Sequence, residues 1–259
     1  MGLPGNGFKA SLASGKLPVG SWLMMDNPVS AEAMSWAGFD FLVVDMEHSA
    51  ADVGGARAQM QAIAGNPACA AVVRVPGPDP VTVKKVLDVG AQTLMFPMVH
   101  TVQDALQAVA ATRYPPQGMR GVAAMHRASR YGAVEGYLAK AGSEIALIAQ
   151  IETLRGVEAA FDIASVDGVD ALFIGPADLS ADLGLLGQVT NPKVYELAGK
   201  VIAAARRAGK AVGALAADEA IATRYLEAGC SFIALASDLG FMMQRARTAA
   251  SCMRLGSET

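Results

Sequence analysis

Eight short apolar runs, a helix-forming stretch after most of them, and a length of 259 residues point to a closed (β/α)8 barrel. A chain of about 250 residues is typical of that architecture. The runs are apolar nearly throughout instead of alternating, as parallel strands buried on both faces are. Hydrophobic residues make up 53% of the chain and charged residues 17%, which supplies a large core and excludes wholesale disorder. No linker, low-complexity tract or fixed repeat divides the sequence, so residues 1–259 are read as one domain. A doubly wound open sheet fits the same alternation, because strand order is not written in sequence.

Taken in order, VGSWLMM leads to a helical pattern over 29–37, FLVVDME to 52–64, AAVVRV to 80–89, and TLMFPMV to 102–112. EIALIAQIE leads to 156–165. ALFIG leads through a Gly-Pro turn to 192–208, AVGALA to 218–228, and FIALAS to 239–253. The stretch 113–143, which includes RYPPQGMRGVAAMHRASRYG, is polar, long and rich in Pro and Gly, and is expected to be an active-site loop. The last helix, FMMQRARTAASCM, carries a Met- and Ala-rich face that reads as an association surface.

Several functions are excluded by what is missing. A net charge of −3 with no basic, aromatic-interleaved stretch gives no attraction to nucleic acid. Cys69, Cys230 and Cys252 are odd in number and lack CxxC spacing, so neither a disulfide framework nor a zinc knuckle is indicated. With no apolar run near 18 residues and no signal-like start, the expected location is cytoplasmic, away from the membrane. GxxxxGK[ST], GxGxxG and GxSxG are all absent. No lysine falls within a strand-like run, and a Schiff-base aldolase needs a desolvated lysine in its site.

The chemistry-bearing residues sit at strand ends. Gln150 and Glu152 close one run, and Asp178 follows another. Strand carboxyl ends converge on one face of a parallel α/β protein, where ligands bind. Two acidic side chains there suit a hard divalent cation such as Mg²⁺ or Mn²⁺; the plainer reading is two helix caps or surface acids. His48 ends FLVVDMEH on the same face and is a general-base candidate, one of only three histidines. Arg74 closes a buried strand and so must face an anion: a substrate carboxylate, a developing enolate, or a structural partner among nearby Asp and Glu. Backbone N–H groups at Ala177 and Asp178 can bind a carboxylate as the chain turns into DLSADLG.

Taken together, AGFDFLVVDMEHS, VVRVPGPDPVTVKKVLDVGAQTLMFPMV, ATRYPPQGMRGV, AQIETLRGVEA and VDGVDALFIGPADLSADLG resemble the HpcH/HpaI aldolases, metal-dependent class II pyruvate aldolases. The likeness covers nearly the whole chain and points to the 4-hydroxy-2-oxoheptanedioate aldolases and similar 2-keto-3-deoxy sugar-acid aldolases. It implies a (β/α)8 barrel whose C-terminal helix packs on a neighbouring subunit in a homo-oligomer, a hexamer or trimer. It places Glu152 and Asp178 as ligands of Mg²⁺, Mn²⁺ or Co²⁺, with Gln150, Arg74, Ala177 and Asp178 contacting the pyruvyl group. It makes His48 the proton acceptor, Arg74 the transition-state stabiliser, and Asp88 the acid that raises the histidine's basicity. Asp88 itself reads from sequence as an ordinary helix-end residue. The implied reaction is reversible cleavage of a 4-hydroxy-2-oxo acid to pyruvate and an aldehyde. Citrate-lyase-β and malyl-CoA-lyase enzymes pair the same acid types on a metal, and a non-catalytic metal- or acid-binding barrel is a further alternative.

The absence of a strand lysine yields a direct expectation. A chelator should abolish pyruvate release and Mg²⁺, Mn²⁺ or Co²⁺ should restore it. Borohydride added with pyruvate should leave the protein mass unchanged, whereas a reduced lysine adduct contradicts the metal-dependent reading.

Overall fold

Strand pairing closes on itself. The computed structural model describes residues 1–255. Within them β1 (Val19–Leu23), β2 (Phe41–Asp45), β3 (Ala70–Arg74), β4 (Thr93–Phe96), β5 (Ala146–Ile151), β6 (Ala171–Ile174), β7 (Ala211–Ala216) and β8 (Phe232–Ser237) pair in chain order. Every ladder is parallel, and β1 pairs with β8. That last ladder excludes the open sheet, and the fold is a (β/α)8 barrel. All eight runs expected as strands are strands.

Helices α2 (Pro28–Ser35), α3 (Val53–Ile63), α4 (Pro80–Asp88), α5 (Val102–Thr112), α7 (Leu154–Ser165), α9 (Pro192–Arg207), α10 (Glu219–Ala228) and α11 (Asp238–Leu255) follow the strands close to the expected positions. Their starts are written locally. Asn27, Asp52, Asp79, Thr101, Thr153, Asn191 and Asp218 each accept a first-turn amide, as N-caps do. Three short helices were not expected: α1 (Gly7–Ala13), α6 (Tyr137–Lys140) and α8 (Pro176–Asp182). No helix among the described residues is long and apolar enough to cross a membrane.

Side chains alternate across the barrel wall with the period of two that a strand imposes. Leu42, Val44, Val73, Leu94, Leu147, Ile151, Leu172 and Ile174 join the core beneath the helices. Trp22, Phe41, Val43, Val72, Met95, Ile148, Phe173 and Phe232 fill the barrel itself. Large rings need small opposites: a methyl added to Gly20 or Gly213 would run into the ring of Phe41 or Phe232. Helix α1 stops the amino end of the barrel. Its Phe8 ring meets Phe41 at 5.3 Å and Phe232 at 5.4 Å, both edge-on. Asn6 ties that plug down, donating from Nδ2 to Gln92 O, Thr93 Oγ1 and Glu144 O, each at 3.1 Å.

The stretch 113–143 is placed otherwise than expected. It joins α5 to β5, so it is an αβ connection and lies at the amino end of its own barrel, away from the strand carboxyl ends. Length and polarity suggested a ligand loop; the direction of the chain decides against it within one subunit.

Because Phe8 is fully buried between two rings, Phe8→Ala should lower unfolding free energy by about 3–5 kcal/mol in urea denaturation. A loss below about 1 kcal/mol would mean that α1 is not part of the cooperative core.

Candidate active site at the carboxyl end of the barrel

The inward register that carries apolar side chains through the barrel ends in polar ones. On β2 the sequence of inward positions is Phe41, Val43, Asp45; on β3 it is Val72, Arg74; on β5 it is Ile148, Gln150, with Glu152 just beyond. A spacing of two therefore brings Asp45, Arg74, Gln150 and Glu152 to one end of one cavity.

Arg74 is the centre of the arrangement. Asp45 and Arg74 are register partners on β2 and β3. Arg74 donates to Asp45 from Nε at 2.9 Å and from Nη2 at 2.5 Å, a two-pronged contact with a carboxylate that is fully buried. Glu47 Oε2 lies 2.9 Å from Arg74 Nη1, at ion-pair distance but off hydrogen-bond direction. The guanidinium also stands 5.1 Å from the Trp22 ring centroid. Of the alternatives left open by sequence, the structural partner is present. A guanidinium has five N–H groups, so donors remain for an incoming anion. Asp45 and Glu47 escaped the sequence reading, although an acid ending the strand beside an arginine-ended strand was a usable signal.

Asp45 also shapes the turn that follows. Its Oδ1 accepts the amides of Glu47 at 2.9 Å and His48 at 3.3 Å. His48 is thereby held at the barrel rim with 61% of its side chain exposed and Nε2 at 4.0 Å from Glu47 Oε2. Its imidazole is open to solvent at that end of the barrel.

Glu152 is only 2% exposed. Its Oε1 accepts the Met98 amide at 2.7 Å, and its Oε2 accepts Gln150 Nε2 at 2.6 Å. Met98 has a positive φ of 53°, an uncommon conformation for a side-chain-bearing residue and one that turns its N–H onto the carboxylate. Gly175 makes room on the other side, since a methyl there would strike Glu152 Oε2 and come within 2.8 Å of Gln150 Nε2. The turn leading to Asp178 thus lies directly on Glu152 and Gln150. Asp178 and Ala177 are exposed in the first turn of α8, ahead of the first helical bond, Leu179 N–H to Gly175 O at 3.1 Å. Gln150 Oε1 is buried with no partner.

Burial pushes the Glu152 carboxyl up to about 7; the Met98 amide opposes this, while the charges of Asp178 and Glu47 add to it. Burial likewise raises Glu47, with Arg74 and His48 opposing and Asp45 and Asp178 adding. Carboxylates held this way have an unmet demand for positive charge. Among the described residues, no three His, Cys, Asp or Glu side chains converge as a complete metal cage. The donors suit a hard cation that keeps water or ligand oxygens in its remaining positions.

Asp88 is not in this group. It ends α4, five residues before β4 begins, whereas His48 lies three residues past the end of β2. Within one chain the two stand at opposite ends of the barrel. Asp88 instead accepts from Arg120 Nη2 at 2.7 Å and lies 3.6 Å from His126 Nε2. One further residue missed from sequence braces the rim. Asp238 accepts the Met24 amide at 2.8 Å and Ser30 Oγ at 2.7 Å, which holds the β1–α2 connection across the barrel closure.

The family model described as HpcH/HpaI aldolase/citrate lyase matches residues 19–244. The chain is 45% identical over 235 residues to a 5-keto-4-deoxy-D-glucarate aldolase of Citrobacter koseri, covering 91% of each chain. It is 46% identical over 234 residues to a 4-hydroxy-2-oxovalerate aldolase of Novosphingobium aromaticivorans, covering 90% of this chain and 89% of that one. The crystal structure of an HpcH/HpaI aldolase/citrate lyase family protein from Burkholderia cenocepacia superposes with a TM-score of 0.93 at 42% identity, over 96% and 99% of the two chains.

The raised Glu152 carboxyl predicts a pH signature for the metal-free protein. Between its ordinary value of 4.5 and about 7 the folded state holds a proton that the unfolded state has lost, so stability falls as pH rises through that window. Glu152→Gln removes this slope. Its melting temperature relative to wild type should therefore be higher at pH 8 than at pH 5 in the presence of chelator. An equal difference at both pH values would show that the carboxyl is not strained by burial.

Proposed function

The chain belongs to the HpcH/HpaI aldolase/citrate lyase family, and on that premise we propose a metal-dependent aldolase that cleaves 4-hydroxy-2-oxo acids to pyruvate and an aldehyde, reversibly. Carbon–carbon lyase activity follows from the aldolases it matches at 45% identity. The observation that carries the finer reading is the set of Glu152, Gln150 and Arg74 at the inward ends of β5 and β3, with Gly175 turning Asp178 onto them.

Glu152 and Asp178 would hold a divalent cation, Mg²⁺, Mn²⁺ or Co²⁺, in place of the second proton their mutual repulsion otherwise invites. When bound there, the cation supplies Lewis-acid polarisation of the substrate's 2-oxo group. Ala177 and Asp178 offer backbone N–H groups, and Arg74 its unused N–H groups, to the pyruvyl carboxylate and 2-oxygen. Gln150 borders the same space. In cleavage His48 takes the proton of the C4 hydroxyl, the C3–C4 bond breaks, and its electrons pass into the C2–C3 enolate. The aldehyde leaves, and a proton returned to C3 gives pyruvate. Arg74 steadies the negative oxygen throughout. Asp45 and Glu47 keep the guanidinium in place, so no reorganisation is needed as charge develops.

If Asp88 supports His48, it must come from a second copy of the chain, because one subunit holds the two at opposite ends. The exposed apolar residues Leu239, Met242, Met243 and Met253 of α11 support a homo-oligomer. A trimer or hexamer fits that requirement.

The direct test is pyruvate release from a panel of 4-hydroxy-2-oxo acids, with and without chelator. No release from any of them, beside cleavage of an acyl-CoA thioester, would favour the lyase branch of the family. Arg74→Ala should lower the rate of pyruvate methyl-proton exchange in D₂O by about two to three orders of magnitude, far more than it weakens pyruvate binding. Arg74→Lys should recover only part, since it cannot reproduce the two-pronged contact with Asp45. Unchanged exchange with weakened binding would make Arg74 a binding residue only.

A further inference from the structure

Asp88 presents one oxygen inward and leaves the other free, and the cause is a buried polar cluster on the 113–143 connection. Arg120 has a fully buried side chain, donates from Nη2 to Asp88 Oδ1 at 2.7 Å, and lies 4.5 Å from the Tyr114 ring centroid. His126 approaches the same oxygen. Its side chain is 8% exposed, and its Nδ1 accepts the Ser129 amide at 3.2 Å as the cap of the turn Arg127–Ser129. A ring nitrogen that accepts carries no proton, so the neutral ring is protonated at Nε2. That Nε2–H is buried, has no other partner, and faces Asp88 Oδ1 at 3.6 Å. Tyr137 packs edge-on at 5.2 Å and fixes the ring plane.

We infer that His126 is a positioning residue: with Arg120 it claims Asp88 Oδ1 and leaves Oδ2 as the acceptor offered to His48 of a second copy. The gap of 3.6 Å is longer than a hydrogen bond, and the inference requires it to tighten in the working enzyme, as long catalytic contacts of apo enzymes commonly do. The side chain of Asp88 is 22% exposed, enough to reach a neighbour. The other titratable or charged groups around the pair are Tyr114, Tyr137, Lys84 and Arg127, whose Nη1 bonds Val89 O at 2.9 Å. This inference rests on the reading of Asp88 as the partner of His48.

His126→Asn separates support from simple capping. Asparagine is itself a good cap and keeps an acceptor for Ser129 N–H, but it is too short to place a donor on Asp88. The measurement is exchange of pyruvate methyl protons in D₂O against pH, with Mn²⁺ and the full chain. His126→Asn should lose roughly tenfold in rate, the worth of one hydrogen bond to a charged group, and its pH profile should move in the same direction as that of Asp88→Asn. Pyruvate affinity should stay unchanged. His126→Gln, which carries an amide N–H towards the Nε2 position, should regain part of the loss. A second readout needs no activity: in the metal-free protein the imidazole ¹⁵N–¹H spectrum, simple with three histidines, should show His126 protonated at Nε2 and its Nε2 proton resonance displaced in Asp88→Asn. A profile moved by Asp88→Asn but not by His126→Asn overturns the positioning role alone. A profile moved by neither removes Asp88 from the support of His48, and the role of His126 with it. Should His126→Asn fail to fold, an Nδ1-protonated ring or an undisplaced resonance in Asp88→Asn decides against the inference.

Discussion

A guanidinium buried at the end of a parallel barrel cannot stand alone, and the pairing of Arg74 with Asp45 is the constraint on which the site depends. Leaving either charge without the other would cost about 3–5 kcal/mol. The pair joins neighbouring strands through two short bonds. The same carboxylate receives the amides of Glu47 and His48 and so sets the turn that carries both. Glu47 then closes the third side of Arg74. One ion pair thereby orients the proposed base, the proposed enolate stabiliser and a third acid next to Glu152 and Asp178.

Glu152 is held by a different logic. Its burial is electrostatically unfavourable, and its position is maintained by a left-handed Met98, the Gln150 amide and the missing side chain of Gly175. A local cost of this kind persists where surrounding structure enforces it, and it leaves a site poised to take positive charge. The amino end of the barrel is built for stability instead. Phe8 and Asn6 seal it, and Asp88 stands at that end, held by the buried Arg120 of the long connection.

The barrel was legible because its strands are apolar on both faces and helix-forming stretches follow most of them, both local signals. Helix α1 was not, since GNGFKAS is a poor helix sequence and forms where Phe8 fills the barrel mouth. Glu152, Asp178, Arg74 and His48 could be placed at one end from strand position alone. Asp45 and Glu47 were overlooked because their role depends on strand register. The need for Gly175 depends on a close approach that no spacing reveals. The position of 113–143 was in principle readable: a segment that follows a helix and precedes a strand returns to the amino end, however polar it is. Asp88 reads from sequence as a helix-end residue, because its ion pair with Arg120 depends on how the 113–143 connection folds back on α4.

The proposed chemistry requires the cation and pyruvate to meet at Glu152 and Asp178. Anomalous diffraction from a crystal grown with Mn²⁺ and pyruvate locates both in one measurement. The predicted result is a single manganese peak at Glu152 and Asp178, with pyruvate bound beside it and near Arg74. Manganese bound elsewhere, or pyruvate joined to a lysine, would contradict it.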